Sequence, residues 1–543
     1  MLLIEAQNIK KYYHDRKIIE FDDFKVYSGD KIGIVGQNGS GKTTFLNILS
    51  GEVETDEGYV RRFCDITYIR QFSDEEIEAD QKEISRMNLS QIADQAVCSG
   101  GELTRIKIAN AFSKNNLLVF ADEPTSNLDF RGVEILKERL SQVDSMLLIS
   151  HNRDLLDSLC NKTLEIRDGK IKIYNGNYSF YKEQRGIEQK NEMVEYEKYV
   201  SEKTKLTNAI ENRQRRSGKM RKAPKRMGNS EARLHTRQAN EKQEKIHNAV
   251  NSLRTRLEKL EVKESPKELP MIQLDFSLTN PPANRIVISA ENFSFSYGKK
   301  KIFQNTGFRI FNGSKTALLG ENGVGKTTLL NLIAGSGNGS IKIVPKARIG
   351  YFYQGFENLQ QNMTVLDNVM AESVQSQTVA RTILARLLIT GDDVYKKVEV
   401  LSGGEKIKVS FAKLFVSSAN VFLLDEPTNY LDMSSIEALE NMLSCYEGTV
   451  LFVSHDRAFV NRVADRLLLI ENQSISEFDG NLDKLEKYKK QQIQKDINDP
   501  EQIALQMRMT EIIAKLSRQD ANKDELEAEY GRLLKKLRER RTV

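Results

Sequence analysis

One octapeptide, Gly-x-x-x-x-Gly-Lys-Thr, occurs twice in the chain. The first copy is Gly36, Gln37, Asn38, Gly39, Ser40, Gly41, Lys42 and Thr43; the second is Gly320, Glu321, Asn322, Gly323, Val324, Gly325, Lys326 and Thr327. A further threonine follows each, Thr44 and Thr328. Such a glycine-rich turn can lay backbone N–H groups against phosphate oxygens at the start of a helix, where the helix dipole adds positive potential. Lys42 and Lys326 can then reach the terminal phosphates, and the hydroxyls of Thr43 and Thr327 can ligate Mg2+. Further along, two apolar runs end in Asp-Glu-Pro-Thr, beginning at Asp122 and Asp425. A carboxylate at a strand end can hold magnesium through its water shell, and the adjacent Glu123 or Glu426 can orient or deprotonate an attacking water. These residue types, in this order, are those of phosphoryl transfer.

The elements around them repeat as well. Each octapeptide follows a strand-like run and opens an apolar helical pattern. Ser-Gly-Gly-Glu recurs at Ser99, Gly100, Gly101 and Glu102 and at Ser402, Gly403, Gly404 and Glu405. Each half closes with a strand running into His151 or His455. The copies are offset by 284 residues at the first motif and by 303 or 304 at the others, so the second half carries about twenty extra residues before its Ser-Gly-Gly-Glu. Strands alternating with helices predict two α/β units with parallel sheets.

Composition narrows the class. At 543 residues and 62.0 kDa the chain is too long for one core. Charged residues make up 29%, mean hydropathy is −0.50, and no run is long and apolar enough for a membrane span or a secretory leader. Cys64, Cys98, Cys160 and Cys445 are scattered, which argues against a zinc or disulfide framework and fits a reducing cytoplasm. The net charge is +5, yet residues 205–262 hold sixteen Lys or Arg against six Asp or Glu. Basicity therefore sits in the middle of the chain. There Ile246, Val250, Leu253, Leu257 and Leu260 step by four and three, and Met193, Tyr196, Val200, Leu206 and Ile210 offer a looser partner stripe. Two antiparallel helices joined near 217–230 are predicted. A shorter helical hairpin is expected after Pro500. The expected layout is a first α/β unit over 1–182, a helical hairpin linker over 183–264 and an extended connector over 265–285. A second α/β unit over 286–490 and a helical extension over 491–543 complete it.

The P-loops, the Ser-Gly-Gly-Glu signatures, the Asp-Glu-Pro-Thr strands and the terminal histidines together resemble the ATP-binding cassette superfamily across both halves. That resemblance implies two cassettes facing head to tail with ATP sandwiched between the P-loop of one and the signature of the other. One site then joins Lys42, Gln71, Glu123 and His151 to Ser402, Gly403 and Gly404. The other joins Lys326, Gln354, Glu426 and His455 to Ser99, Gly100 and Gly101. Gln71 and Gln354 would share the Mg2+ with Thr43, Asp122, Thr327 and Asp425. Tyr13 and Tyr297 resemble the aromatic that stacks on adenine, and Asp129 and Asp432 the loop that communicates between sites. With no catalytic position degenerate, both sites are expected to hydrolyse ATP.

Three classes compete: the motor of an exporter, a DNA-repair ATPase, and the ABC-F group of twin-cassette proteins that work on ribosomes. The order cassette, α-helical hairpin linker, cassette is similar to ABC-F, as are Gly176 to Tyr181 leading into the linker and the motif Asp425 to Asp432. Within that group the short stretch between Gln71 and Ser99, the basic linker loop and the C-terminal hairpin resemble the antibiotic-resistance branch of Vml and Vga type. The resemblance implies a cytoplasmic monomer whose ATP-bound form enters the E site of the 70S ribosome. Its linker tip would act near 23S rRNA and the P-site tRNA, releasing drugs of lincosamide, pleuromutilin or streptogramin A type. A translation factor that relieves stalling without a role in resistance is the alternative. The tip's own chemistry is compatible: Arg213, Arg215, Arg216, Lys219, Arg221, Lys222, Lys225 and Arg226 are uninterrupted by any acid, which suits an RNA backbone.

Overall fold

The computed structural model describes residues 1–70, 100–112, 117–126, 128–219, 229–263, 275–335, 340–352 and 358–497, with short pieces at 508–509, 511–512 and 529–533. The first cassette opens with a hairpin of β1 (Leu2–Tyr13) and β2 (Arg16–Tyr27), followed by β3 (Lys31–Val35). The P-loop leads into α1 (Lys42–Ser50), after which come β4 (Glu57–Arg62), β5 (Ile66–Ile69) and the signature helix α2 (Gly100–Phe112). β6 (Leu118–Asp122), α3 (Phe130–Ser141), β7 (Ser145–Ile149), α4 (Arg153–Leu159), β8 (Lys162–Arg167) and β9 (Lys170–Tyr174) complete it. Among the described residues these strands form one nine-stranded sheet in the order β4-β1-β2-β9-β8-β3-β7-β6-β5. Its β3, β5, β6, β7 and β8 run parallel. β6 and β7 are buried throughout, as a parallel sheet covered by helices on both faces requires.

The linker is a hairpin of α5 (Tyr178–Lys219) and α6 (Asn229–Glu258). α5 is one helix that starts at Tyr178, ahead of the linker start expected at 183, and its first turn packs in the first cassette's core. The connection is also shorter than the expected 217–230, because α5 continues to Lys219. Leu206, Ile210 and Val250 are buried between the arms, with Ile246, Leu253, Leu257 and Leu260 partly covered beside them. Val200, expected on the inner stripe, is exposed, and Tyr199 takes the covered position. The seam on α5 drifts because its apolar residues do not keep a 3.5-residue period. In the connector, expected to be extended, Phe276–Thr279 make a 3-10 turn capped by the Asp275 carboxylate.

The second cassette repeats the plan with β10 (Ile286–Tyr297), β11 (Lys300–Phe311), β12 (Lys315–Leu319), α7 (Lys326–Ala334), β13 (Ile341–Ile343) and β14 (Ile349–Phe352). The stretch of this half ahead of its signature carries α8 (Val365–Met370) and α9 (Gln377–Arg386), followed by the signature helix α10 (Gly403–Val416). β15 (Val421–Asp425), α11 (Met433–Cys445), β16 (Thr449–Val453), α12 (Arg457–Val463), β17 (Arg466–Glu471), β18 (Ser474–Asp479) and α13 (Leu482–Ile497) follow. The core sheet runs β14-β15-β16-β12-β17-β18, with β11-β10-β13 beside it. The same backbone bond recurs in each cassette: the Glu20 N–H donates to Gly169 O at 2.7 Å, and the Gln304 N–H to Gln473 O at 3.0 Å. α13 runs past the expected boundary at 490. The expected C-terminal hairpin lies almost wholly outside the described residues; among the few described there, Arg508 pairs with Glu511 and Glu529.

Candidate functional site

Each P-loop bends because its glycines permit it. Gly41 and Gly325 sit at the N-caps of α1 and α7 with φ of 97° and 111°. A side chain at either would also strike Ile18 or Ile302, at 2.9 and 2.5 Å from the Cβ position. Neither helix start carries a side-chain cap, so its first N–H groups face outward for an anion. Ser40 Oγ is buried with no hydrogen-bond partner, a donor suited to a phosphate oxygen. Lys42 Nζ donates to the carbonyls of Gly36 and Gln37 at 2.8 and 3.0 Å; Lys326 does the same to Gly320 and Glu321 at 2.8 and 3.1 Å. Burial pulls both ammonium groups below their usual pKa, opposed by the surrounding Asp and Glu side chains.

At the end of β6, Asp122 Oδ2 accepts from Thr43 Oγ1 at 2.7 Å, and Asp425 accepts from Thr327 likewise. Burial pushes the Asp122 carboxyl up to about 6, against that hydrogen bond. Paired hydroxyl and carboxylate oxygens are the hard donors Mg2+ selects, and a buried carboxylate of this kind is stabilised by a cation. These residues therefore fit the metal. Gln71 and Gln354, expected in the same shell, lie outside the described residues. So does Ser99; Gly100 and Gly101 open α2.

Glu123 and Glu426 follow directly with φ of 48°, a left-handed conformation that non-glycine residues adopt at a cost and that clusters at functional sites. Each carboxylate is gripped by its own histidine. His151 sets Nε2 3.3 Å from Glu123 Oε1 and donates its N–H to Oε2 at 3.2 Å. His455 does so to Glu426 at 3.2 and 3.4 Å. Burial and the Lys326 charge hold His455 down to about 4, so its ring is neutral at physiological pH. Burial raises Glu426 well above the usual carboxylate range, with Lys326 opposing.

The two cassettes meet over these groups. A cavity of about 680 Å³ is lined by Tyr13, Lys42, Thr43, Thr44, Asp122, Glu123 and His151 from one cassette and by Ser402, Gly403 and Gly404 from the other. Asn38 donates its backbone N–H to Asp432 Oδ2 at 3.1 Å and its side-chain amide to the Tyr430 carbonyl at 2.9 Å. Across the pseudo-dyad, the Asn322 N–H reaches Asp129 Oδ2 at 3.5 Å and Arg131 approaches Glu321 at 3.6 Å. Burial pushes the Asp129 carboxyl up, but the Gly132 N–H and the Arg105 guanidinium outweigh it and hold it below its usual value. Tyr13 and Tyr297 are 48% and 58% exposed, leaving ring faces open to stacking. Tyr430, with φ of 63°, was missed in the sequence; its departure within an otherwise repeated Asp-Glu-Pro-Thr stretch was the available signal.

A Cβ at Gly404 would lie 3.0 Å from the Tyr430 carbonyl and 3.3 Å from Asn38 Nδ2. Gly404→Val is therefore expected to wedge this interface apart while each P-loop still binds nucleotide. Misplacement of about 1 Å costs about 10²-fold in rate, and turnover should fall to that extent. ATP-dependent compaction in small-angle scattering should also disappear; compaction and turnover like the parent's would remove Gly404 from the closed interface.

On the linker, Arg213 and Arg215 are exposed on α5. Arg213 also reaches the Ala249 carbonyl at 3.5 Å and Arg215 lies 3.7 Å from Glu211, so both are partly engaged within the hairpin. Arg216 and Lys219 end the same helix; Arg221, Lys222, Lys225 and Arg226 lie outside the described residues.

Comparison with known proteins agrees with this geometry. The ABC transporter family matches residues 20–126 and 303–429, one match in each half. The erythromycin resistance ATP-binding protein MsrA of Staphylococcus epidermidis is 32% identical over 487 residues, covering 87% of this chain and 98% of MsrA. The chain belongs to the ABC-F family. Another relative of this ABC-F chain is the ribosome protection protein VmlR of Bacillus subtilis, 28% identical over 553 residues, covering 99% of this chain and 98% of VmlR. Among solved structures, the RNase-L Inhibitor shares the fold with a TM-score of 0.55 at 19% identity, over 84% of this chain and 87% of that one. As an ABC-F protein the chain carries two ATPase cassettes, and no described helix is long and apolar enough to cross a membrane.

Proposed function

We propose that the chain hydrolyses ATP at two composite sites and acts in the cytoplasm as a ribosome protection factor. In this reading the closed form binds the E site of the 70S ribosome, and the linker tip displaces drugs of lincosamide, pleuromutilin or streptogramin A type from the peptidyl-transferase centre. The observation that carries it is a helical hairpin with a basic distal end, rooted between two cassettes closed over a shared cavity. The names borne by MsrA and VmlR support it.

The chain's own groups do the following. P-loop N–H groups, Lys42 and Lys326 hold the phosphates. The facing signatures, with Ser402 capping α10 through Glu405, present their N–H groups and hydroxyl to the same phosphates from the other side. Glu123 and Glu426, oriented by His151 and His455, accept a proton from the attacking water. Thr43 with Asp122, and Thr327 with Asp425, would hold Mg2+, which would supply charge neutralisation at the phosphates. Tyr13 and Tyr297 stack on adenine. Hydrolysis removes the γ-phosphate that bridges the cassettes, and the clamp opens.

Pelleting of the ATP-trapped chain with 70S ribosomes tests this. Binding should require ATP and weaken with salt, because basic residues on RNA release counterions. About six phosphate contacts would lower affinity about 10³-fold between roughly 50 and 200 mM salt. Binding that ignores ATP and salt, or a preference for duplex DNA, would overturn the ribosome reading.

A further inference from the structure

The two cassettes are pseudo-symmetric, but the helices that leave them are anchored differently. α5 leaves the first cassette after Gly176 and Asn177; α13 leaves the second after Gly480 and Asn481. Arg153 and Arg457 are equivalent, each two residues after its histidine. Arg457 makes its ion pairs within its own cassette, with Glu486 at 2.5 Å and at 3.7 Å from Asp483, both on α13, and also feels the charge of Asp154 on α4 of the other cassette. Arg153 instead crosses to the other cassette, where Nη1 lies 3.0 and 3.2 Å from the two carboxylate oxygens of Glu440 on α11. Glu440 is fully buried and also faces Arg462 at 3.5 Å.

Two charge reversals underlie the difference. The equivalent of Glu440 is Lys137, which could not take an arginine. The equivalent of Glu486 is Lys182 on α5, which crosses to Glu437 at 2.7 and 2.8 Å. The Tyr178 hydroxyl, at the first residue of α5, donates to the same Glu437 at 3.4 Å. Met433, the first residue of α11, is buried in the first cassette's core cluster together with Tyr178.

These contacts are tied to the ATP sites through short covalent connections. Met433 follows Asp432, whose carboxylate takes the Asn38 N–H of the opposite P-loop. Arg153 lies two residues from His151, and α4, which it opens, also supplies Asp157. That carboxylate takes both the N–H and the hydroxyl of Ser179 at 2.6 Å, fixing the first turn of α5 to the first cassette. Parting the cassettes would leave the Asp157 attachment intact and break every bond to α11.

We propose that Glu437 and Glu440 on α11 are positioning residues that set the direction of the linker hairpin, seizing its root through Lys182, Tyr178 and Arg153 only when the cassettes are closed. The inference concerns closure of this chain alone and does not rest on the ribosome reading. A buried ion pair adds little net stability over apolar packing but leaves a stranded charge when one partner is lost. Among the described residues the pair is present on one side of the pseudo-dyad alone, the side that carries the hairpin, which fits orientation better than adhesion.

The test is a distance measurement by pulsed electron paramagnetic resonance, without ribosomes, on the full chain carrying Glu123→Gln and Glu426→Gln with ATP bound. One spin label sits on the exposed native Cys445 and the other on Asn251→Cys of α6, with Cys64 and Cys98 replaced by Ser. A single narrow distance is expected in this parent. Lys182→Glu should add a second population, and Lys182→Glu with Glu437→Lys should restore the single one. Arg153→Met with Glu440→Met, which removes both charges and strands neither, should also add a second population. In a background with Glu123 and Glu426 intact, ATP turnover of each variant should stay near the parent's. A distance distribution unchanged by both Lys182→Glu and the Met pair would overturn the assignment. So would failure of the charge exchange to restore it, or loss of turnover in step with the broadening, since a merely structural support would behave that way.

Discussion

Replacing Glu123 and Glu426 together by Gln is expected to leave ATP bound and to reduce its hydrolysis by about 10² to 10⁴. The geometry makes this a clean substitution. Each carboxylate already has one oxygen on a histidine N–H, at 3.2 or 3.4 Å, and the other against the same histidine's ring. Gln keeps the shape and retains an oxygen for the N–H, while its amide cannot take a proton from water. The P-loops, both signatures and the Asn38–Tyr430 contact are untouched. The cassettes should therefore remain closed around nucleotide, and ATP should co-elute with the protein on a sizing column. Phosphate release at the parental rate would show that neither glutamate is the base.

Replacing residues 220–228 by a short Gly-Ser turn should abolish protection while sparing ATP turnover and ribosome association. α5 would still run to Lys219, α6 would still begin at Asn229, and the buried contacts of Leu206, Ile210 and Val250 would be kept. Both proposed ATP sites lie at the cassette interface, at the other end of the hairpin. A segment that acts by how far it extends loses its action when shortened, whatever the affinity of the remainder. Growth of an expressing strain on a lincosamide, a pleuromutilin or a streptogramin A should fall to that of a strain lacking the protein. Undiminished growth would make the linker a spacer and place protection elsewhere.

The cassettes were legible in the sequence because their motifs are local strings flanked by the strand and helix that position them. Gly36 to Thr43 lies between an apolar strand and an apolar helix, and the chemistry of each residue follows from that placement. The covered side of α6 was legible for a similar reason, since Ile246 to Leu260 keep a coiled-coil period. The opposite arm was less so: a drifting stripe put Val200 where Tyr199 belongs. The buried ion pair across the cassette interface left no local trace. Arg153 and Glu440 are 287 residues apart, and only packing of the two halves brings them together. The left-handed backbone at Glu123 and Glu426 was equally hidden, because it is set where each strand ends, with the N–H of each glutamate held by the neighbouring strand, against the residues' own preference.

The unbroken course of α5 has a mechanical consequence. With 42 residues in one helix, its far end stands about 60 Å from the Tyr178 anchor. A stiff rod converts angle into displacement in proportion to its length. Tilting this one by about ten degrees at Tyr178 carries the distal end through about 10 Å, roughly two helical turns. Displacements of that size need no comparable motion near the nucleotides, where the adjustments are those of single hydrogen bonds. The helix thus works as a mechanical amplifier, and its gain is set by how many residues pass before the first break. A glycine pair or proline placed midway along α5 would introduce a joint, and motion at the anchor would dissipate there before reaching the distal end.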